Sequence, residues 1–321
     1  MNLKPSDIKL LNYLYHNNSE TTTKIAKATK LTRDQVEYKL KKYQTEGIIK
    51  QFFTVFNYEK LGYNVLAGLL LKIKPNKIKE FSMELEQDKN IISKGEIMGD
   101  YDFYMDLIFK DEKELNEYVS NLFEKDKDII SDYLILRSFF TELYPLKFLG
   151  HKYGEETYKI TDSEPSSKKI EIDDKDKIIL KMFAENSRIK IVDIAHKLKI
   201  SPELTLYKIR RLEKEKIILG SRMFFDMDKL EYYLADILLE INNFSLNTQE
   251  SIKKFAKNHK HINNILFFTN KPNCLLQVIF KSQKELQETI RDVKKLFSDE
   301  SVKMKILFPQ FEEKINPLPF Y

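Results

Sequence analysis

The sequence predicts an α+β fold in which two winged helix-turn-helix units alternate with two ferredoxin-like βαββαβ units, and three observations carry that expectation. Residues 7–63 align without a gap on residues 176–232, matching Asp7 with Asp176, Ile25-Ala26 with Ile194-Ala195, Tyr38-Lys39 with Tyr207-Lys208 and Lys60-Leu61 with Lys229-Leu230. After each copy, apolar residues at helical spacing give way to strand-like runs. Charge is segregated too: residues 1–62 carry 11 basic and six acidic side chains, whereas residues 63–150 carry 12 and 17.

In the first copy, Ile8, Leu11 and Leu14 mark the apolar face of a helix that Asn17-Asn18-Ser19 ends. A second short helix carries Ile25 and Ala26. Thr32 opens a third, with Gln35 placed to complete a capping box, and Val36, Leu40 and Tyr43 share its inner face. Gly47 is suited to end that helix, and residues 48–56 read as a short β-hairpin. The second copy repeats the order, with Ser201-Pro202 opening its third helix and Lys216 where the first copy has Gly47. Strand, helix, two strands, helix and strand then follow each copy, which is the split βαββαβ order.

The expected units are a winged helix-turn-helix over residues 1–62, a ferredoxin-like domain over 63–150, a polar linker over 151–171, a second winged helix-turn-helix over 172–232 and a second ferredoxin-like domain over 233–321. With 42% apolar and 32% charged residues, the chain has a globular composition. No run reaches the roughly 20 apolar residues of a spanning helix, and the first residues have no apolar core of a secretion signal, so a cytoplasmic protein with no membrane partner is expected. One cysteine, Cys274, excludes an internal disulfide and a multi-cysteine metal site. No phosphate loop, nucleophile elbow or zinc-protease motif is present, so no catalytic residue, metal or cofactor is expected.

These residues resemble the Lrp/AsnC (leucine-responsive regulatory protein) family of prokaryotic transcription factors. The resemblance rests on Ile172-Asp173-Asp174, on Ile194-Ala195-His196-Lys197-Leu198-Lys199-Ile200-Ser201-Pro202, on Lys208-Ile209-Arg210-Arg211-Leu212, and on Gly99-Asp100-Tyr101-Asp102 in the first ferredoxin-like unit. It implies a DNA-binding regulator whose α+β units, of the RAM type, self-associate and hold a small effector near Gly99-Asp100-Tyr101-Asp102. This chain departs from the family in joining two such pairs. It also carries Asn270-Lys271-Pro272-Asn273 where the second unit would hold the effector motif, so effector binding is expected of the first unit alone.

The third helix of each copy is the candidate for the DNA major groove, which admits an α-helix and displays a distinct pattern for each base pair. Arg33, Glu37, Tyr38 and Lys41 in the first copy, and Pro202, Leu206, Tyr207 and Arg210 in the second, fall on the outer face. Lys39, Lys42, Lys208, Arg211 and Lys214 are expected to meet phosphates. Because the two outer faces differ, the operator in double-stranded DNA is expected to have unlike half-sites. Gly99, Asp100, Tyr101 and Asp102 could hold the ammonium group of an amino acid or similar metabolite, or simply form a tight turn. A competing expectation is a siroheme-decarboxylase-like enzyme of the same layout, for which His259 and His261 are the nearest histidines to the required place.

Overall fold

The computed structural model describes residues 3–150, 157–161, 170–297, 302–310 and 315–321. The first copy folds as α1 (Pro5–Asn17), α2 (Thr22–Thr29), α3 (Arg33–Thr45) and strand β1 (Ile49–Phe56). Next come β2 (Val65–Ile73), α4 (Ile78–Glu84), β3 (Ile91–Met98), β4 (Phe103–Phe109), α5 (Glu112–Asp126) and β5 (Ile130–Leu143). A short β6 (Tyr158–Thr161) leads to α6 (Asp174–Glu185), α7 (Ile191–Leu198), α8 (Pro202–Lys214) and β7 (Ile218–Phe225). The chain closes with β8 (Tyr233–Glu240), α9 (Leu246–Asn258), β9 (Ile262–Phe268), β10 (Cys274–Phe280), α10 (Gln283–Lys295) and β11 (Lys303–Pro309).

The helices start where the sequence places them. Thr32 and Gln35 form the capping box of α3, and the Ser201 side chain accepts from the Leu204 amide with Pro202 at the first turn of α8. Leu10, Leu11 and Leu14 are the buried face of α1, while Ile8, expected inside, is 37% exposed.

Residues 48–56 are not a hairpin. β1 is one continuous strand that pairs antiparallel with β7, and the register sets Phe53 opposite Arg222, two positions that the duplication makes equivalent. A local two-fold axis therefore runs through the ribbon. Each wing strand packs on the other copy's helices: Met223 and Phe225 join the core of α1 to α3, while Phe56 joins that of α6 to α8. The physical reason lies in the segment itself, which has no Asn-Gly or Asp-Gly pair to reverse the chain. Buried contacts tie the helical units directly as well, with Ser187 Oγ donating to Asn18 Oδ1 at 2.8 Å.

The two βαββαβ units share one sheet. Its order is β2-β4-β3-β11-β8-β10-β9-β5-β6, and β2 also pairs with β5, so eight strands close into a ring with β6 appended. Each half keeps the ferredoxin-like order, and the last strand of each half bonds to the other: β11 to β3, β5 to β9. Alternation along the strands then separates two environments. Val65, Ala67, Leu69, Phe103, Met105 and Leu107 face α4 and α5, and Ala235, Ile237, Leu239, Leu276 and Val278 face α9 and α10. The intervening residues point into the ring, where Leu70, Ile97, Tyr101, Leu136, Leu238, Phe268 and Leu307 form a separate core.

The segment expected as a linker contains β6, which pairs with the end of β5. Its Ser-rich and Lys-rich part, residues 162–169, lies outside the described residues. Among the described residues no helix is long and apolar enough to cross a membrane.

Candidate nucleic-acid interface

α3 and α8 each present a solvated outer face. Arg33, Glu37, Tyr38 and Lys41 are exposed on α3, and Pro202, Tyr207, Arg210 and Lys214 on α8, with Leu206 and Lys42 half-buried. The duplication makes Tyr38 and Tyr207 equivalent, and they stand 69% and 65% exposed. The same exposure at the same position in both copies leaves two amphipathic rings open to solvent on the outer faces. Arg33 is held by Glu37 at 2.9 Å, an exposed i,i+4 pair that a stronger anion can displace. Lys42 approaches Glu46 at 3.8 Å.

Three of the cations expected at phosphates are committed elsewhere. Lys39 binds Asp7, and its equivalent Lys208 binds Asp176 at 3.1 Å and Asp173 at 2.6 Å. The Arg211 guanidinium also binds Asp176, whose side chain is fully buried. Asp7 and Asp176 further cap their own helices by accepting the backbone N–H of Lys4 and Asp173. Each of these carboxylates thus fastens helix three to helix one. Burial works to raise the Asp7 pKa, but bonds from Lys39 and from the Tyr43 hydroxyl at 2.6 Å hold it below the ordinary range. The signal was present in the sequence: acid and base recur in both copies 32 residues apart.

Gly99-Asp100-Tyr101-Asp102 forms the turn from β3 to β4, against β11 of the other half. Gly99 adopts φ of 144°, and a Cβ there would meet Leu307 Cδ2 at 2.6 Å. Asp100 pairs with Lys305 at 2.8 Å, Tyr101 is buried in the ring core, and Asp102 accepts the Ile73 N–H at 2.9 Å. In the second half Asn273 accepts the Ile241 N–H at 3.0 Å, so acid and amide do the same structural work. Both carboxylates of the motif already have partners within the chain.

His259 and His261 pack beside Phe255 of α9 and Asp292 of α10, on the outer side of the sheet. Burial holds the His259 pKa down to about 4.

Residues 172–218 match the winged helix-turn-helix DNA-binding family model. Fold and paired outer faces therefore define a winged helix-turn-helix DNA-binding protein. Over 113 residues the chain is 33% identical to the HTH-type transcriptional regulator FL11 of Pyrococcus furiosus, covering 35% of this chain and 75% of that one. Over 114 residues it is 29% identical to Ptr1 of Methanocaldococcus jannaschii, covering 36% and 77%. The chain belongs to this family of helix-turn-helix transcriptional regulators, the Lrp/AsnC family. Along its whole length the fold is similar to the siroheme decarboxylase NirDL in co-complex with an iron-uroporphyrin III analogue, with a TM-score of 0.64 at 15% identity over 99% of this chain and 96% of that one.

Proposed function

We propose that the protein is a sequence-specific DNA-binding regulator that works as a covalent pseudo-dimer, with α3 and α8 reading two unlike half-sites. The observation that carries this is the matched exposure of Tyr38 and Tyr207, each flanked by exposed cations, on helices whose inner faces are locked down by Asp7 and Asp176. A rigid inner face with a solvated, cation-bearing outer face is what groove entry requires. The outer faces differ in sequence, so the half-sites differ. Closure of the strand ring performs within one chain the pairing that family members are expected to achieve between chains. A metabolite response belongs to the same reading.

One observation favours an enzyme of the decarboxylase type, namely the whole-chain likeness to NirDL. The chemistry of this chain points the other way. The two histidines that such an enzyme would draw on, His259 and His261, lie outside the strand ring beside Phe255 and Asp292, and burial holds the His259 pKa down to about 4.

The test is fluorescence anisotropy with labelled duplex DNA across a salt series. Affinity should fall steeply with salt; Lys214→Ala should weaken binding across sequences and flatten the slope by about one, whereas Arg210→Ala should relax sequence preference in one half-site. Arg211→Ala should instead lower stability, since it strips a partner from Asp176. No binding at low ionic strength would contradict the proposal.

A further inference from the structure

Inside the strand ring lies a cavity of about 330 Å³, at the small end of the range of ligand pockets, roughly 300–1,000 Å³. Its walls are mostly aliphatic and aromatic, including Leu70, Leu136, Leu266, Phe268 and Leu307. At its centre the two halves contribute matching positions. Asp106 stands opposite Gly68 in the first half, and Gln277 opposite Asp236 in the second; Asp106 is the counterpart of Gln277 and Asp236 that of Gly68, so divergence after the duplication has left one carboxylate in each half. Both carboxyl groups lie deep in the molecule and line the cavity.

Around the two carboxyl groups the polar side chains leave acceptors over. A register shift beside Gln277 turns the adjacent Asn263 and Asn264 the same way, and both donate to Gln277 Oε1, at 2.9 and 3.1 Å. Gln277 faces Asp236 with its own amide, and Ser93 Oγ donates to Asp106 Oδ2 at 2.6 Å. This fixes the amides, because Gln277 must turn its N–H toward the carboxyl and its oxygen toward the asparagines. Three buried oxygens around the two carboxyl groups are left without a partner among the described residues, Asp236 Oδ1, Asn263 Oδ1 and Asn264 Oδ1, while the orphaned donor of the lining, Arg222 Nε, belongs to the ribbon strand β7. All three are acceptors. Arg222, the one cation among the described lining residues, is turned to the Tyr144 carbonyl and lies over the Tyr15 and Tyr158 rings.

We propose that the closed strand ring is the receptor for a small organic amine, its ammonium group seated between Asp106 and Asp236 and donating to the orphaned oxygens of Asp236, Asn263 and Asn264, its apolar body against the aliphatic wall. An ammonium group brings three donors and a positive charge, which is what three free acceptors beside two carboxylates lack. An anionic ligand would add like charge and more acceptors. The inference rests on the regulator reading for its consequence: one ligand bridges both halves, and the cavity also touches Phe53, Thr54, Arg222 and Met223 of the ribbon between the helical units. Binding there would bias how α3 and α8 are presented.

The titratable groups facing this interior are Asp106 and Tyr104 on β4, Asp236 on β8, Tyr58 between β1 and β2, Tyr15 on α1 and Arg222 on β7. Burial, and then the charge of Asp106, push the Asp236 pKa up to about 7. Amine binding should therefore be stronger at pH 8, where Asp236 is ionised, than at pH 5.5.

The experiment is calorimetry on the full chain with isoamylamine and phenethylamine, each against the carboxylate of matching shape, isovalerate and phenylpropionate. At least one amine should bind and neither acid should, and Asp236→Asn should weaken amine binding roughly tenfold or more. Asp106→Asn serves as the second variant where Asp236→Asn fails to fold. Absence of heat from both amines, equal binding of the acids, or unchanged binding by the folded variants would overturn the proposal. DNA binding is measured on the same samples, so an inert cavity beside intact DNA binding removes the amine site and leaves the regulator standing.

Discussion

Lys216 and Gly47 occupy equivalent positions after the third helices, and both adopt left-handed backbone, at φ of 54° and 65°. Lysine bears a strain there that glycine does not, about 1–2 kcal/mol, less what glycine loses in unfolded-state freedom. Lys216→Gly should accordingly raise the stability of the second helical unit by about 1 kcal/mol, read as a higher urea midpoint with an unchanged slope. Only half of this was legible from the residues. Gly47 marks the helix end plainly, but Lys216 carries no such mark, and neither do Lys30 and Lys199, which take the same conformation after α2 and α7. Lysine is an ordinary surface residue, so an unfavourable backbone state imposed by packing leaves no trace in its identity.

Secondary structure was legible where the information is local. Caps at Thr32 and Ser201 and the strand-helix alternation of both βαββαβ units depend on neighbours within a few residues. The pairing of β1 with β7 sets Phe53 opposite Arg222, 169 positions away, and the closure of β5 on β9 sets Ser138 opposite Phe268, 130 positions away; periodicity cannot report such partners. The candidate site divides the same way. Exposure of Tyr38, Tyr207 and Arg210 follows from helix phase, whereas the capture of Lys39, Lys208 and Arg211 is a contact between helices one and three. Asp176→Ala would leave two cations facing a buried void. Its expected cost is about 3–5 kcal/mol, the range for breaking a buried pair by removing one partner, and chemical denaturation should show it. A loss below about 1 kcal/mol would mean that the ion pair does not fasten the helices.

At the scale of the whole molecule, duplication followed by divergence accounts for most of what the structure adds. The two halves keep the same backbone and exchange structural parts: each lends a wing strand to the other's helices and a closing strand to the other's sheet. What they do not keep is the chemistry of their outer faces, where Arg33, Glu37 and Lys41 are answered by Pro202, Leu206 and Arg210. A homodimer of identical chains reads a palindrome; under the proposed function this pseudo-dimer is free of that constraint, and linkage would keep the second reader at high local concentration. The most direct test is selection of bound duplexes from a random pool, followed by sequencing. The account predicts two different half-sites at a fixed separation close to a whole number of helical turns, while a perfectly palindromic consensus, or no enrichment at all, would contradict it.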